Sequence, residues 1–140
     1  MNSILQYSVS DIMTKSPITV APGTLLSVLI EEFDRTDFNG YPVLDNGRLL
    51  GIVTQYDVLK AFIFHPNEII PQYARIMQKT VGEIFSTNAQ QVVSTTPVTE
   101  AIQMLVDSRH HGLLVTDERG KLVGIVTRYD IARCLRAAFK

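Results

Sequence analysis

The sequence predicts a mixed α+β fold: two tandem β-α-β-β-α units packed as a pseudo-two-fold pair. Three observations predict it. The first is a repeated heptapeptide. Gly51-Ile52-Val53-Thr54-Gln55-Tyr56-Asp57 returns as Gly124-Ile125-Val126-Thr127-Arg128-Tyr129-Asp130, with six of seven residues identical at a spacing of 73. The second is that the likeness extends outward. Val9-Ser10-Asp11-Ile12-Met13 answers Val81-Gly82-Glu83-Ile84-Phe85, and Tyr41-Pro42-Val43-Leu44-Asp45 answers Leu113-Leu114-Val115-Thr116-Asp117. The third is that the same succession of strand-like and helix-like apolar spacing surrounds both copies. Two copies are too few for an open solenoid, which would leave most of its core exposed.

Each unit opens with a short amphipathic turn, residues 9–13 or 81–85. An extended segment follows, 18–20 or 91–93. A helix comes next. In the second unit Thr96 is the expected N-cap and Pro97 the first helical residue, where its missing N–H costs nothing. Val98, Ala101, Ile102, Leu105 and Val106 then form one apolar stripe. In the first unit the stripe is Leu25, Val28, Leu29 and Phe33, after Thr24. Two strands around a polar turn follow, 41–44 and 49–53, or 113–116 and 122–126. The second strand runs into a closing helix, 57–64 or 130–139. The expected boundaries are 9–64 for the first unit, 65–80 for a connector with a helix over 72–78, and 81–138 for the second unit.

Composition narrows the function classes. Hydrophobic residues make up 46 % and charged residues 19 %, enough apolar material for a packed core. Thirteen Lys and Arg face fourteen Asp and Glu, and the net charge of −1 argues against a nucleic-acid partner held by bulk electrostatics. No apolar run approaches the ~18 residues of a membrane span. No apolar stretch follows a charged N-terminus, so no signal peptide is expected. The single cysteine, Cys134, has no internal disulfide partner and cannot build a Cys-based metal site alone. A cytoplasmic protein is the expectation.

The repeated motif carries two readings. Thr-x-x-Asp before a helix is a capping box, with the Thr oxygen accepting a backbone N–H and the acid favoured by the helix dipole. The same geometry also suits a ligand. Free N–H groups at a helix start attract phosphate, and a carboxylate one turn in can accept two hydrogen bonds from the vicinal hydroxyls of a ribose. Gly51 and Gly124 either admit a close backbone approach or ease strand packing. His110 and His111 are adjacent, so strand geometry points them apart and no metal site is expected; His111 is kept as a phosphate candidate. Arg128 can reach a phosphate or stand exposed in the first turn. Tyr56 and Tyr129 read as core residues before they read as base-stacking ones. No Walker loop, zinc spacing or nucleophile elbow is present, and no base, nucleophile and oxyanion site can be assembled. Local charge favours the second motif as the stronger phosphate site, because 34–60 carries net −1 and 107–133 carries net +1.

The repeated unit resembles the cystathionine-β-synthase (CBS) domain, and the pair resembles a CBS-domain pair, or Bateman module. The resemblance rests on Asp11-Ile12-Met13-Thr14, on Tyr41-Pro42-Val43-Leu44-Asp45, and on both copies of Gly-Ile-Val-Thr-x-Tyr-Asp. It implies a non-catalytic regulatory module, not an enzyme, that binds adenosine-type ligands in clefts between paired units. AMP, ADP, ATP and S-adenosylmethionine are the implied ligands, and no cofactor is required. Asp57 and Asp130 would hold the ribose. Thr54 and Thr127, with the amides that follow them, would face ribose or phosphate. Main-chain groups at Ile18 and Tyr41, and at Gln91 and Leu113, would meet the adenine edge. Some nucleotide-binding members carry a His-Arg pair before the first core strand; here the second unit has His111-Gly112 and the first Asn39-Gly40, without the Arg. The second unit also reads Phe85-Ser86 where the first reads Met13-Thr14. The family implies a homodimer joined through helices. The alternative is a structural dimerisation and interaction module with empty clefts. A regulated protein partner is compatible with the sequence, which does not name one.

Overall fold

The computed structural model describes residues 6–35, 40–63, 73–108 and 112–139. Its elements in chain order are α1 (Val9–Ile12), β1 (Thr14–Lys15), α2 (Leu26–Arg35), β2 (Gly40–Asp45), β3 (Arg48–Thr54), α3 (Gln55–Ala61) and α4 (Tyr73–Met77). After a 3-10 turn (Val81–Glu83) come β4 (Gln91–Val93), α5 (Val98–Ser108), β5 (Gly112–Thr116), β6 (Leu122–Thr127) and α6 (Arg128–Ala138).

The chain forms two compact units, and they do not follow the repeat boundaries. One unit is Ile18–Asn88; the other joins the residues up to Pro17 to Ala89–Lys140. Each repeat's opening turn is thus built into the unit that carries the other repeat's strands. The cause is hydrogen bonding at the start of each first helix. Val9 N donates to Thr96 O (2.7 Å), Ser10 N to Ser94 O (3.0 Å) and Val98 N to Tyr7 O (3.0 Å). In the other unit Leu26 N donates to Lys79 O (2.8 Å), Val81 N to Thr24 O (2.8 Å) and Gly82 N to Pro22 O (2.8 Å). These groups would otherwise be orphan donors and acceptors.

In the unit of residues 18–88, β2 and β3 form an antiparallel hairpin with Tyr41 opposite Val53 and a bulge at Val43/Leu44. Asn46 and Gly47 join them, both at positive φ (51° and 81°), as a two-residue hairpin turn requires. Val20 bridges Val43 in parallel, and Ser86 bridges Ile52 antiparallel. The core is Val20, Leu26, Leu29, Tyr41, Val43, Val53, Val58 and Val81.

The other unit extends the same pattern into a four-stranded sheet of order β1-β6-β5-β4. β4 and β5 are parallel, with α5 as the crossover that a parallel pair needs. The core is Val9, Val92, Val98, Ala101, Leu105, Leu113, Val115, Val126 and Ile131.

Several helix expectations need correction. In α2 the buried stripe is Leu26 and Leu29, with Ile30 and Phe33 beside them, while Leu25 and Val28 are exposed. Leu25 bridges Thr80 through its backbone, which turns the helix by one residue. In α5 Val106 is likewise exposed. The helix starts at Val98, and Pro97 stands outside it, its carbonyl accepting from Glu100 N (3.1 Å) and Ala101 N (3.2 Å). The closing helices start two residues earlier than expected, at Gln55 and Arg128, because Thr54 and Thr127 are their N-caps.

Candidate functional site

Both copies of the motif end a strand and start a helix at the same residue. Thr54 closes β3 in extended geometry (φ −113°, ψ 167°), and Thr127 closes β6 almost identically (φ −110°, ψ 169°). The Thr hydroxyl accepts the amide N–H of the third helical residue: Asp57 N to Thr54 Oγ1 is 3.2 Å, and Asp130 N to Thr127 Oγ1 is 3.3 Å. The carboxylate reaches back. Thr54 N and Oγ1 donate to Asp57 Oδ2 at 2.9 and 3.0 Å; Thr127 N and Oγ1 donate to Asp130 Oδ2 at 2.8 and 3.1 Å. The capping-box reading of the sequence therefore holds in both copies. It spends one carboxylate oxygen in each and leaves the other, Oδ1, for something else. Both acids are buried, at 4 % and 2 % exposure.

The two Oδ1 atoms meet different company. Lys60 Nζ stands 3.6 Å from Asp57 Oδ1, and 5.1 Å from the centre of the Tyr56 ring. In the other unit Arg133 donates a hydrogen bond to Asp130 Oδ1. Thr14 Oγ1, from β1, donates to the same oxygen at 3.2 Å. The residue placed like Thr14 in the first motif is Ser86, opposite Ile52 where Thr14 is opposite Ile125. Ser86 turns its hydroxyl to accept Asn88 N at 3.2 Å. Lys60, Arg133 and Thr14 were not among the expected site residues. Their signals were present: positions 60 and 133 each follow the motif acid by three, one helical turn on, and Thr14 ends the Asp11-Ile12-Met13-Thr14 segment.

The remaining candidates separate. Thr127, Arg128 and Asp130 adjoin at the start of α6, with Arg128 exposed. Ile18, in the loop between β1 and α2, and Gln91, which starts β4, are exposed and so open to solvent. The Tyr41 and Leu113 side chains are core, leaving the main chain as what they can offer; Tyr41 also donates its hydroxyl to Glu32 O (3.0 Å). His111 lies outside the described residues. Tyr56 and Tyr129 are not core residues: they are 68 % and 73 % exposed, pointing outward from the first helical turn opposite the buried acid. Gly51 and Gly124 serve close backbone approach. A Cβ at Gly51 would land on the Ser86 carbonyl oxygen, and one at Gly124 would lie 2.5 Å from Met13 Sδ and 2.9 Å from Thr14 O. Cys134 is buried on α6, and burial pushes its thiol pKa up, away from the reactive thiolate.

Comparison with known families agrees with the repeat. The CBS-domain model matches residues 9–63 and again 81–137. The chain belongs to the CBS-domain family. It is a mixed α+β protein with the fold of a tandem CBS pair. A CBS domain-containing protein of Dictyostelium discoideum is 31 % identical over 130 residues, covering 91 % of this chain and 90 % of that one. The chloroplastic CBS-domain protein CBSX2 of Arabidopsis thaliana is 28 % identical over 91 % of this chain, which spans 63 % of that relative's length. A crystal structure of CBSX2 in complex with AMP superposes with a TM-score of 0.81 at 28 % identity, covering 96 % of this chain and 99 % of that one. The CBS pair of MJ0100, in complex with 5-methylthioadenosine and S-adenosyl-L-methionine, gives 0.75 at 27 % identity, covering 94 % and 97 %.

One further relative, an L-aspartate semialdehyde sulfurtransferase of Methanocaldococcus jannaschii, is matched over 22 % of its length. Among the described residues no group of three His, Cys, Asp or Glu is placed to hold a metal, and no helix is long and apolar enough to cross a membrane.

Proposed function

We propose that this CBS-pair protein is a non-catalytic regulatory sensor that binds an adenosine-type ligand through the ribose, using Asp57 and Asp130. The observation that carries the reading is the split of each carboxylate. One oxygen is fixed by the helix cap; the other faces a half-exposed cation, Lys60 or Arg133. Asp57 is so preset to accept the two hydroxyls of a vicinal diol, and Asp130 once Arg133 and Thr14 give way. The ligands named with the two CBS-pair structures support this. AMP, 5-methylthioadenosine and S-adenosylmethionine share adenine and ribose, and two of the three lack phosphate. The shared part is the part a carboxylate recognises. AMP, ADP, ATP and S-adenosylmethionine are therefore the candidate ligands, with Thr54, Thr127 and Arg128 facing any phosphate and main chain near Ile18, Tyr41, Gln91 and Leu113 meeting adenine. No cofactor is required.

A thermal-shift panel of AMP, ADP, ATP, S-adenosylmethionine and NAD tests the reading. A ligand that prefers the native state must stabilise it, by about 2.7 kcal/mol at a hundredfold excess over Kd. At least one adenosine compound should raise the melting temperature by several degrees. No response to any of them would leave the interaction-module reading standing instead. One observation favours that second reading as a companion property: Leu59, Ile63, Val106 and Phe139 expose large apolar side chains on or beside helices. A homodimer follows, checked by light scattering at micromolar concentration; a clean single-chain mass contradicts it. The cytoplasm is the proposed compartment.

A further inference from the structure

We propose that Arg133 latches the Asp130 motif against ribose, while the looser Lys60 leaves the Asp57 motif open, so that the chain offers one ready and one guarded adenosine site. The inference rests on the adenosine reading above and deepens it.

A carboxylate has about four lone-pair directions. At Asp130 all are in use. Oδ2 accepts Thr127 N and Thr127 Oγ1, and Oδ1 accepts Arg133 and Thr14 Oγ1. At Asp57 the cap takes Oδ2 in the same way, but Oδ1 meets Lys60 at 3.6 Å, beyond hydrogen-bond distance. A ribose arriving at Asp57 finds an acceptor oxygen with room for both hydroxyls. A ribose arriving at Asp130 must displace Arg133 and Thr14 first.

The difference follows from side-chain chemistry. Guanidinium is planar, delocalised and weakly hydrated, and so favours direct contact with a carboxylate. Ammonium is compact and strongly hydrated, and here it has a second attraction in the Tyr56 ring. The Arg133 side chain is 65 % exposed. It can swing into water without repacking the core, which makes it a latch and not a permanent block.

Positions 60 and 133 are equivalent in the two repeats, at the spacing of 73. An exchange of the two cations therefore tests the proposal. Calorimetric titrations with AMP and with adenosine would compare Asp57→Asn with Asp57→Asn/Arg133→Lys, and Asp130→Asn with Asp130→Asn/Lys60→Arg. The first exchange should tighten binding about five- to tenfold, and the second should weaken it by a similar factor. Adenosine should show the same factors as AMP, because no phosphate is involved. A purely structural ion pair would leave both exchanges silent, and that result overturns the latch. Weaker AMP binding in the Arg133→Lys protein, with adenosine unchanged, overturns it too, since Arg133 would then be a phosphate ligand. If neither the parent nor the Arg133→Lys single variant binds AMP or adenosine, the adenosine reading itself fails and takes the latch with it. Binding by the parent with no effect of either exchange fails the latch alone.

Discussion

The first and second motifs build the same cap, with corresponding distances that differ by no more than about 0.1 Å. Their surroundings differ. Asp130 is held by an arginine and by Thr14, a hydroxyl 116 residues away in the chain. Asp57 has a loose lysine, and its equivalent hydroxyl, Ser86, is turned elsewhere. The comparison teaches that the six residues shared by the seven-residue motif fix backbone and cap, while the state of the remaining oxygen is set by residues outside the motif. It also bears on the argument from local charge, because the basic excess around Asp130 includes Arg133, which pairs with Asp130 itself.

Three pairs of substitutions sharpen this contrast, and the largest effects concern the glycines. At Gly51 an added Cβ meets the Ser86 backbone carbonyl, which cannot yield without losing the Ile52–Ser86 bridge. Gly51→Ala should cost about 3 kcal/mol or more. At Gly124 part of the obstruction is the flexible end of Met13, so Gly124→Ala should cost less, about 1–2 kcal/mol. Urea denaturation of both variants checks the order; equal costs would mean that Met13 has no more freedom than a backbone.

The motif acids come next. Asp130→Ala strands the Thr127 N–H and frees three further donors, and should lose about 2–3 kcal/mol; Asp57→Ala should lose about 1–2 kcal/mol. Midpoints of chemical unfolding, compared at unchanged slope, decide it. A larger loss at Asp57 breaks the contrast.

The hydroxyl pair is smallest. Thr14→Val removes a bond to a buried carboxylate and should cost about 1 kcal/mol, whereas Ser86→Ala removes an exposed local contact and should stay below about 0.5 kcal/mol. Matched thermal melts would expose a reversed order.

Much of this was legible in the chain. The heptapeptide announced the caps, and the apolar spacing announced six of the core strands and helices. What sequence could not give was partnership at a distance. Nothing local to Thr14 points to Asp130, and nothing local to Val81 says that it enters the core with Leu26 and Tyr41. The turn of α2 was missed because Leu25 and Leu26 are both apolar, so two stripes fit equally until the backbone bridge to Thr80 selects one. Tyr56 and Tyr129 were misplaced because the helix begins at the residue after Thr, which puts the aromatic on the outer face when the acid turns in.

The most direct measurement is a calorimetric titration of AMP into the parent, Asp57→Asn and Asp130→Asn proteins. Loss of a charge-assisted ribose contact should cost roughly 1.5–3 kcal/mol, tenfold or more in affinity. The structure predicts that Asp57→Asn removes the tighter class of sites and that Asp130→Asn leaves it intact. Loss of the tighter class in Asp130→Asn would restore the local-charge argument, and unchanged binding in both variants would contradict ribose recognition by these acids altogether.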